Sequence, residues 1–275
     1  MSYARNLYLD LMKKVLTYYI WGENYEPVRL EEVLPFKNSL VKGYIEKYLK
    51  KGGLKVVRDF PYDPEKRANG LDWPPLADTM IGLKRLDNLQ MCLENVIAEK
   101  VPGDVIETGV WRGGGSIFMK AVLASYGILD RNVWVADSFA GLPEPDPVKY
   151  PEDHGDTHHT IKILSVSCEQ VKANFAKYGL LDDTVKFLKG WFKDTLPSAP
   201  IKVLAVIRLD GDMYESTMDG LENLYPKLVQ GGYIIIDDYV LPPCRKAVHD
   251  YRHKNGIKED IIDIDGIGAF WRKTI

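Results

Sequence analysis

Val203–Asp212 (VLAVIRLDGD) and Gly232–Asp238 (GYIIIDD) are the two runs on which the fold turns. Each is apolar and rich in β-branched residues until it stops at acids, the pattern of a strand buried on both faces. Between them, Glu215–Gln230 carries Leu221, Leu224, Tyr225, Leu228 and Val229 at helical spacing, with Gly231 and Gly232 just past the end. A helix is therefore expected there. Strand, helix, strand is a right-handed crossover, and its two strands are often neighbours in a parallel sheet. Neighbouring strands lie roughly 4.8 Å apart, so Asp210 and Asp237 should meet at one carboxyl edge, with Asp212 and Asp238 beside them. Four carboxylates there repel one another unless something positive lies between them.

Outward from this unit the alternation continues. Asp78 is placed to cap a helix over Met80–Ala98, whose apolar face is broad. Strands follow at Asp104–Thr108, Val133–Ala136 and Thr184–Leu188, with helices at Gly114–Tyr126 and near Cys168–Tyr178. Pro242–Asn255 reads as a helix, and Ile261–Ile264 with Ala269–Arg272 as a closing hairpin around Asp265-Gly266. This order predicts a doubly wound α/β fold with a mostly parallel sheet and an antiparallel finish. Residues 78–275 form that domain. Residues 1–77 are expected to be a helical extension, a cap or a dimer contact: an amphipathic stripe spans Arg5–Ile20, a second helix Ser39–Lys50, and the proline-rich Asp59–Pro75 reads as a loop or arm.

Composition narrows the function. The 275 residues are 45% hydrophobic, enough for one ordinary core, and the net charge of −3 gives no reason to expect nucleic acid or a membrane as partner. No apolar stretch is long enough for a bilayer, and the N-terminus lacks a signal-peptide pattern. Cys92, Cys168 and Cys244 are odd in number and far apart. A reduced, cytoplasmic protein is expected.

In doubly wound folds the ligand sits at the carboxyl ends of the strands. The first strand leads into Glu107-Thr108-Gly109-Val110-Trp111-Arg112-Gly113-Gly114-Gly115-Ser116, and Asp137, with Ser138 and Phe139 behind it, ends the next. A carboxylate at position 137 is spaced to accept hydrogen bonds from both ribose hydroxyls of a nucleoside. A dinucleotide site would want G-x-G-x-x-G for a pyrophosphate. Trp111 stands where the second glycine belongs, and Glu107 adds an acid inside the turn, which repels phosphate and suits a cationic ligand. The pattern E-x-G-x-x-x-G is that of S-adenosylmethionine (SAM) sites, although a glycine-rich loop alone is also compatible with a plain strand–helix turn.

The motifs IETGVWRGG, ADSFAGLP, GWFKDTLP, LDGDMYEST and GGYIIIDDY, in this order, resemble those of the macrocin O-methyltransferase (TylF-type) family. The resemblance runs from about Thr79 to the C-terminus. It implies a Rossmann-like fold with a seven-stranded sheet, SAM and Mg²⁺ as cofactors, and methylation of a hydroxyl on a small acceptor, a sugar of a glycosylated natural product. It also implies that Asp210, Asp237 and Asp238 bind Mg²⁺ and that Asp212 is the general base. An all-oxygen set without His or Cys independently favours magnesium or manganese over zinc. The cofactor-contacting set expected is Thr79, Met80, Glu107, Thr108, Gly109, Trp111, Arg112, Gly113, Asp137, Ser138, Phe139, Gly190, Trp191 and Asp210. Catechol-type relatives carry a lysine shortly after the first metal aspartate. Met213 and Tyr214 stand here instead, favouring an alcohol acceptor and Asp212 as base.

Several readings stay open at this level. Asp212 is equally a residue type that caps the following helix. Residues 140–166, long and rich in proline and acids, read as a lid over the substrate, and His154, His158 and His159 within it as exposed, solvated residues, the alternative being that one assists deprotonation. His249 and His253 read as a solvated basic face, and Trp21, Trp73, Trp134 and Trp271 as packing residues. The rival functions are a metal-dependent glycosyltransferase using Asp210-Gly211-Asp212 as its D-x-D, a D-x-D-x-T phosphatase, and a non-catalytic SAM-fold binding protein. Glu107 argues against the first and Tyr214, in place of threonine, against the second.

Overall fold

The computed structural model describes residues 2–22, 24–33 and 39–274; the two chain ends of the expected segments, residues 1 and 275, lie outside them. In chain order the elements are α1 (Tyr3–Leu16), β1 (Asn24–Pro27), α2 (Leu30–Val33), α3 (Ser39–Lys51), β2 (Val57–Phe60), α4 (Pro64–Asn69), α5 (Gly82–Ala98), β3 (Asp104–Thr108), α6 (Gly114–Ser125) and β4 (Val133–Asp137). Then come α7 (Cys168–Lys177), β5 (Val185–Lys189), α8 (Phe192–Thr195), β6 (Leu204–Leu209), α9 (Tyr214–Leu224), β7 (Leu228–Ile236), α10 (Pro242–Lys254), β8 (Ile262–Asp263) and β9 (Ala269–Arg272).

Seven strands form one sheet in the order β5-β4-β3-β6-β7-β9-β8. The first five run parallel, β9 pairs antiparallel with β7 and β8 antiparallel with β9, the antiparallel finish that the closing hairpin predicts. The chain order reverses between β3 and β6, the switch point where such sheets hold ligands. One core layer packs α5, α6 and α7 on one face of the sheet, and α1 adds Leu9, Met12 and Leu16 to it. The other lies under α9 and α10, around Ile207, Leu221, Val248 and Trp271. Trp134 and Trp271 are packing residues as expected, at 7% and 0% exposure.

Three local expectations change. The helix expected to reach Gln230 ends at Leu224, because Pro226 cannot continue it; a 3₁₀ turn over Tyr225–Lys227 follows, and Leu228 and Val229 already belong to β7. Leu228 pairs with Leu204, which gives the apolar spacing a strand rather than a helix to serve. Asp78 caps nothing: α5 starts at Gly82, and the Asp78 carboxylate accepts the Tyr178 hydroxyl at 2.6 Å. The expected arm at 59–75 contains the end of β2, paired with β1, and α4, which Asp63 caps through the Glu65 and Lys66 amides. The proline and acid there are a helix start rather than a loop.

Candidate active site

The parallel register sets Leu209 against Ile236 and Thr108, so the acids after β3, β6 and β7 emerge together. They line a cleft of about 320 Å³. Of the expected residues, Thr79, Met80, Glu107, Gly109, Trp111, Asp137, Ser138, Trp191, Asp210, Asp212, Asp237 and Asp238 all reach it.

Close approach of the loops decides several residue types. Gly109 has φ +76°, and a Cβ there would lie 1.7 Å from the Asp210 carbonyl oxygen. A Cβ at Gly115 would lie 2.2 Å from the Glu107 carboxylate, so the glycine makes room for that acid at the start of α6. Trp111 takes φ +46° without being glycine, and its indole N–H donates to the Ile163 carbonyl at 2.8 Å. It thereby ties the cofactor-loop turn to the 140–166 insertion. Asp137 is held by the Phe139 and Val110 amides at 2.6 and 2.8 Å, and burial raises its pKa. Ionised, a carboxylate has about four acceptor positions; the two amides and the Ser138 hydroxyl at 3.4 Å leave it room for a further bond.

Five expected cofactor residues do not reach the cleft. Arg112 turns away: its guanidinium donates to the Pro75 and Ala77 carbonyls at 2.8 and 2.7 Å and covers the Trp111 ring, so it fastens residues 75–77 to the loop. Phe139 is core. Thr108 is buried, and its carbonyl accepts the Asp210 amide at 3.0 Å. Gly113, at φ +88°, turns the chain into α6 against Val171. Gly190 donates its amide to the Asp137 carbonyl at 2.9 Å.

The positive charge that four acids require is supplied by two arginines that the sequence reading did not single out. Arg208, on β6, is 2% exposed; its guanidinium lies 2.6 Å from Glu107, 3.0 Å from Asp210 and 2.5 Å from Asp237. Arg85, on α5, meets Asp237 at 2.5 Å and Asp265 at 3.2 Å. The signal for Arg208 was available: a charge inside an otherwise apolar strand must find a partner. Glu107 is therefore not a bare charge awaiting a cation. Arg208 and the Ser116 hydroxyl both bond it, although burial still raises its pKa.

The arginines leave an excess of negative charge. Oxygens of Asp210, Asp237 and Asp238 lie within 4.8 Å of one another. Burial and the neighbouring carboxylates hold Asp210 and Asp238 well above the usual range, and push Asp212 up to about 8. Oδ1 of Asp237, on a side chain 4% exposed, has no aligned hydrogen bond. A cluster of three carboxylates, one buried oxygen of which has no aligned hydrogen bond, fits a hard divalent cation. Asp212 stands beside the cluster at φ +55°, its amide donating to Asp238 at 3.0 Å. It does not cap α9. Asp153, from the insertion, does so through the Tyr214 and Glu215 amides at 2.7 and 3.1 Å.

The far side of the cleft is shaped by Trp73, Leu142, Pro143, Phe192 and Leu241. Trp73 is thus a cleft residue, not a packing one, and Trp21 is half exposed and stacks on Tyr18. Of the three insertion histidines, His158 lines the cleft, its Nδ1 2.7 Å from Asp156. His249 pairs with the Tyr239 hydroxyl at 2.8 Å.

The sequence profile of the macrocin-O-methyltransferase (TylF) family matches residues 5–273. The chain belongs to this family. The family match begins at residue 5, so it includes most of the N-terminal segment that the motifs had left outside. The 8-demethyl-8-(2,3-dimethoxy-alpha-L-rhamnosyl)-tetracenomycin-C 4′-O-methyltransferase of Streptomyces olivaceus is 53% identical over 98% of this chain and 94% of its own length. The demethyldecarbamoylnovobiocin O-methyltransferase of Streptomyces niveus is 48% identical with the same coverage. The solved structure of the O-methyltransferase NovP superposes with a TM-score of 0.84 at 46% identity, covering 98% of this chain and all of NovP. The protein is accordingly a SAM-dependent O-methyltransferase, which sets aside the glycosyltransferase, phosphatase and non-catalytic readings.

Proposed function

We propose that this enzyme methylates a hydroxyl on the sugar of a glycosylated natural product, with Mg²⁺ held by Asp210, Asp237 and Asp238 and with Asp212 as general base. The observation that carries the reading is the all-oxygen cluster of these three acids within 4.8 Å, beside Asp212. The relatives named above, two of them rhamnosyl- and novobiocin-type methyltransferases, support the acceptor class.

A sugar hydroxyl is too weak an acid to attack at neutral pH unaided. When bound, SAM supplies an electrophilic methyl group and a divalent cation acidifies a hydroxyl it coordinates. The chain's own part is positioning and proton transfer. Glu107, Gly109 and Asp137 would seat the cofactor against the β3 and β4 ends. Asp212, whose amide bonds Asp238, stands beside the cluster and would take the hydroxyl proton. Trp73, Leu142 and Phe192 would cover the acceptor and exclude water, with residues 140–166 as lid. Self-association through residues 1–77, in the cytoplasm, completes the reading; exposed Leu7 and Leu11 on α1 and Tyr44 and Tyr48 on α3 support it.

Asp212→Asn tests the base. With the demethylated rhamnosyl-tetracenomycin as acceptor, kcat should fall about 10²- to 10⁴-fold, while calorimetric affinity for S-adenosylhomocysteine holds. Undiminished turnover would remove Asp212 from the role.

A further inference from the structure

One guanidinium joins the two halves of the cleft. Arg208 faces Glu107 across the β3–β6 pair, and its Nη1 bonds both the Glu107 carboxylate at 2.6 Å and Asp210 at 3.0 Å. Its Nη2 lies 2.5 Å from Oδ1 of Asp237, yet neither atom has an aligned hydrogen bond. Asp237 Oδ1 thus pairs with the arginine, and Asp237 belongs to the oxygen cluster with Asp210 and Asp238. The other oxygen of Asp237 is held by Arg85. Glu107 is bonded besides only by Ser116, among the described residues.

We propose that Arg208 is a positioning residue that couples the cofactor loop to the acidic edge, so that the edge's affinity for a divalent cation depends on what Glu107 is bonded to. The proposal rests on the cofactor and metal reading above and adds a direction to it. Arg208 divides its charge among Glu107, Asp210 and Asp237. Whatever occupies Glu107, including the cationic end of a cofactor, leaves the arginine more fully on Asp210 and Asp237, where it competes with a metal ion. Cofactor and metal therefore oppose one another through this residue, and the opposition is reciprocal.

Two substitutions then move metal affinity in opposite directions. Glu107→Gln removes the competing carboxylate and weakens metal binding, although Glu107 is not in the oxygen cluster. Arg208→Gln removes the competing cation and tightens it. A side chain that merely propped up the site would weaken binding in both cases.

The experiment is a double-mutant cycle on the full chain, titrating Mn²⁺ by calorimetry into the wild type, both single variants and the double variant. Glu107→Gln should weaken Mn²⁺ about 5- to 20-fold, and Arg208→Gln should tighten it by a similar factor. In the Arg208→Gln background the Glu107 effect should shrink to under about twofold. Weakening by both substitutions, or an equal Glu107 effect in both backgrounds, overturns the proposal. If circular dichroism shows Arg208→Gln unfolded, Arg208→Lys takes its place, since an ammonium cannot fork across three carboxylates. At least half of the Glu107 effect should then vanish, and its full retention overturns the coupling. A parallel titration with S-adenosylhomocysteine separates the two failures. A wild type that binds neither ligand sinks the site reading and the proposal together, whereas one that binds both with additive variants sinks the coupling alone.

Discussion

An added Cβ at Gly109 would fall 1.7 Å from the Asp210 carbonyl oxygen, on a backbone already at φ +76°. Neither the loop nor β6 can yield there without moving the acids that follow them. Gly109→Ala should therefore cost about 4 kcal/mol or more of stability, read by urea unfolding; a loss under about 1 kcal/mol would mean the two backbones are not held this closely. The glycine itself was legible in the sequence, as were Glu107, Asp137 and the two acidic pairs, because strand ends with turn formers announce themselves. Arg85 was not, since its partner Asp237 lies 152 residues away, and Arg208 announced only that it needed a partner, not that Glu107, 101 residues away, was one. Arg112 misled for the converse reason. A cation beside a cofactor loop invites a ligand, but its real partners are the Pro75 and Ala77 carbonyls.

The element that carries the acids is β6–α9–β7, and its helix start is held from outside. Asp153 in the insertion accepts the Tyr214 and Glu215 amides, whereas Met213 at the N-cap position offers no side-chain bond. The insertion is thus anchored to the helix that follows Asp212. Asp153→Ala should cost about 1 kcal/mol of stability and hasten proteolytic cleavage within residues 140–166; unchanged cleavage would show that Asp153 does not restrain the segment. Alternation of apolar runs predicted a mostly parallel sheet, with β6 and β7 side by side, and the closing hairpin. It failed at element ends, where single residues rule: Pro226 cut the expected helix short, and Leu228 and Val229 fit a strand face as readily as a helical one. The α4 start was written in Asp63-Pro64 but hidden by the surrounding prolines.

Across the whole molecule, a sheet edge with more buried carboxylates than arginines makes stability depend on pH and on cations. Asp212, Asp210 and Asp238 have folded-state pKa values raised by burial and by one another, Asp212 to about 8. The folded protein therefore binds more protons than the unfolded chain, and stability without metal falls as pH rises from about 5 through 8. A divalent cation replaces those protons. Mg²⁺ should raise the Tm by at least about 3 °C more at pH 8 than at pH 6, measured by calorimetry, and equal increments would contradict a metal-binding edge. The central claim, metal-dependent methylation of a sugar hydroxyl, is tested most directly by mass spectrometry of the product. The demethylated rhamnosyl-tetracenomycin is incubated with SAM and either Mg²⁺ or EDTA. The account predicts one added methyl group on the sugar fragment with Mg²⁺, and none with EDTA or in Asp210→Asn. Methylation of the aglycone, or of the sugar equally well in EDTA, would contradict it.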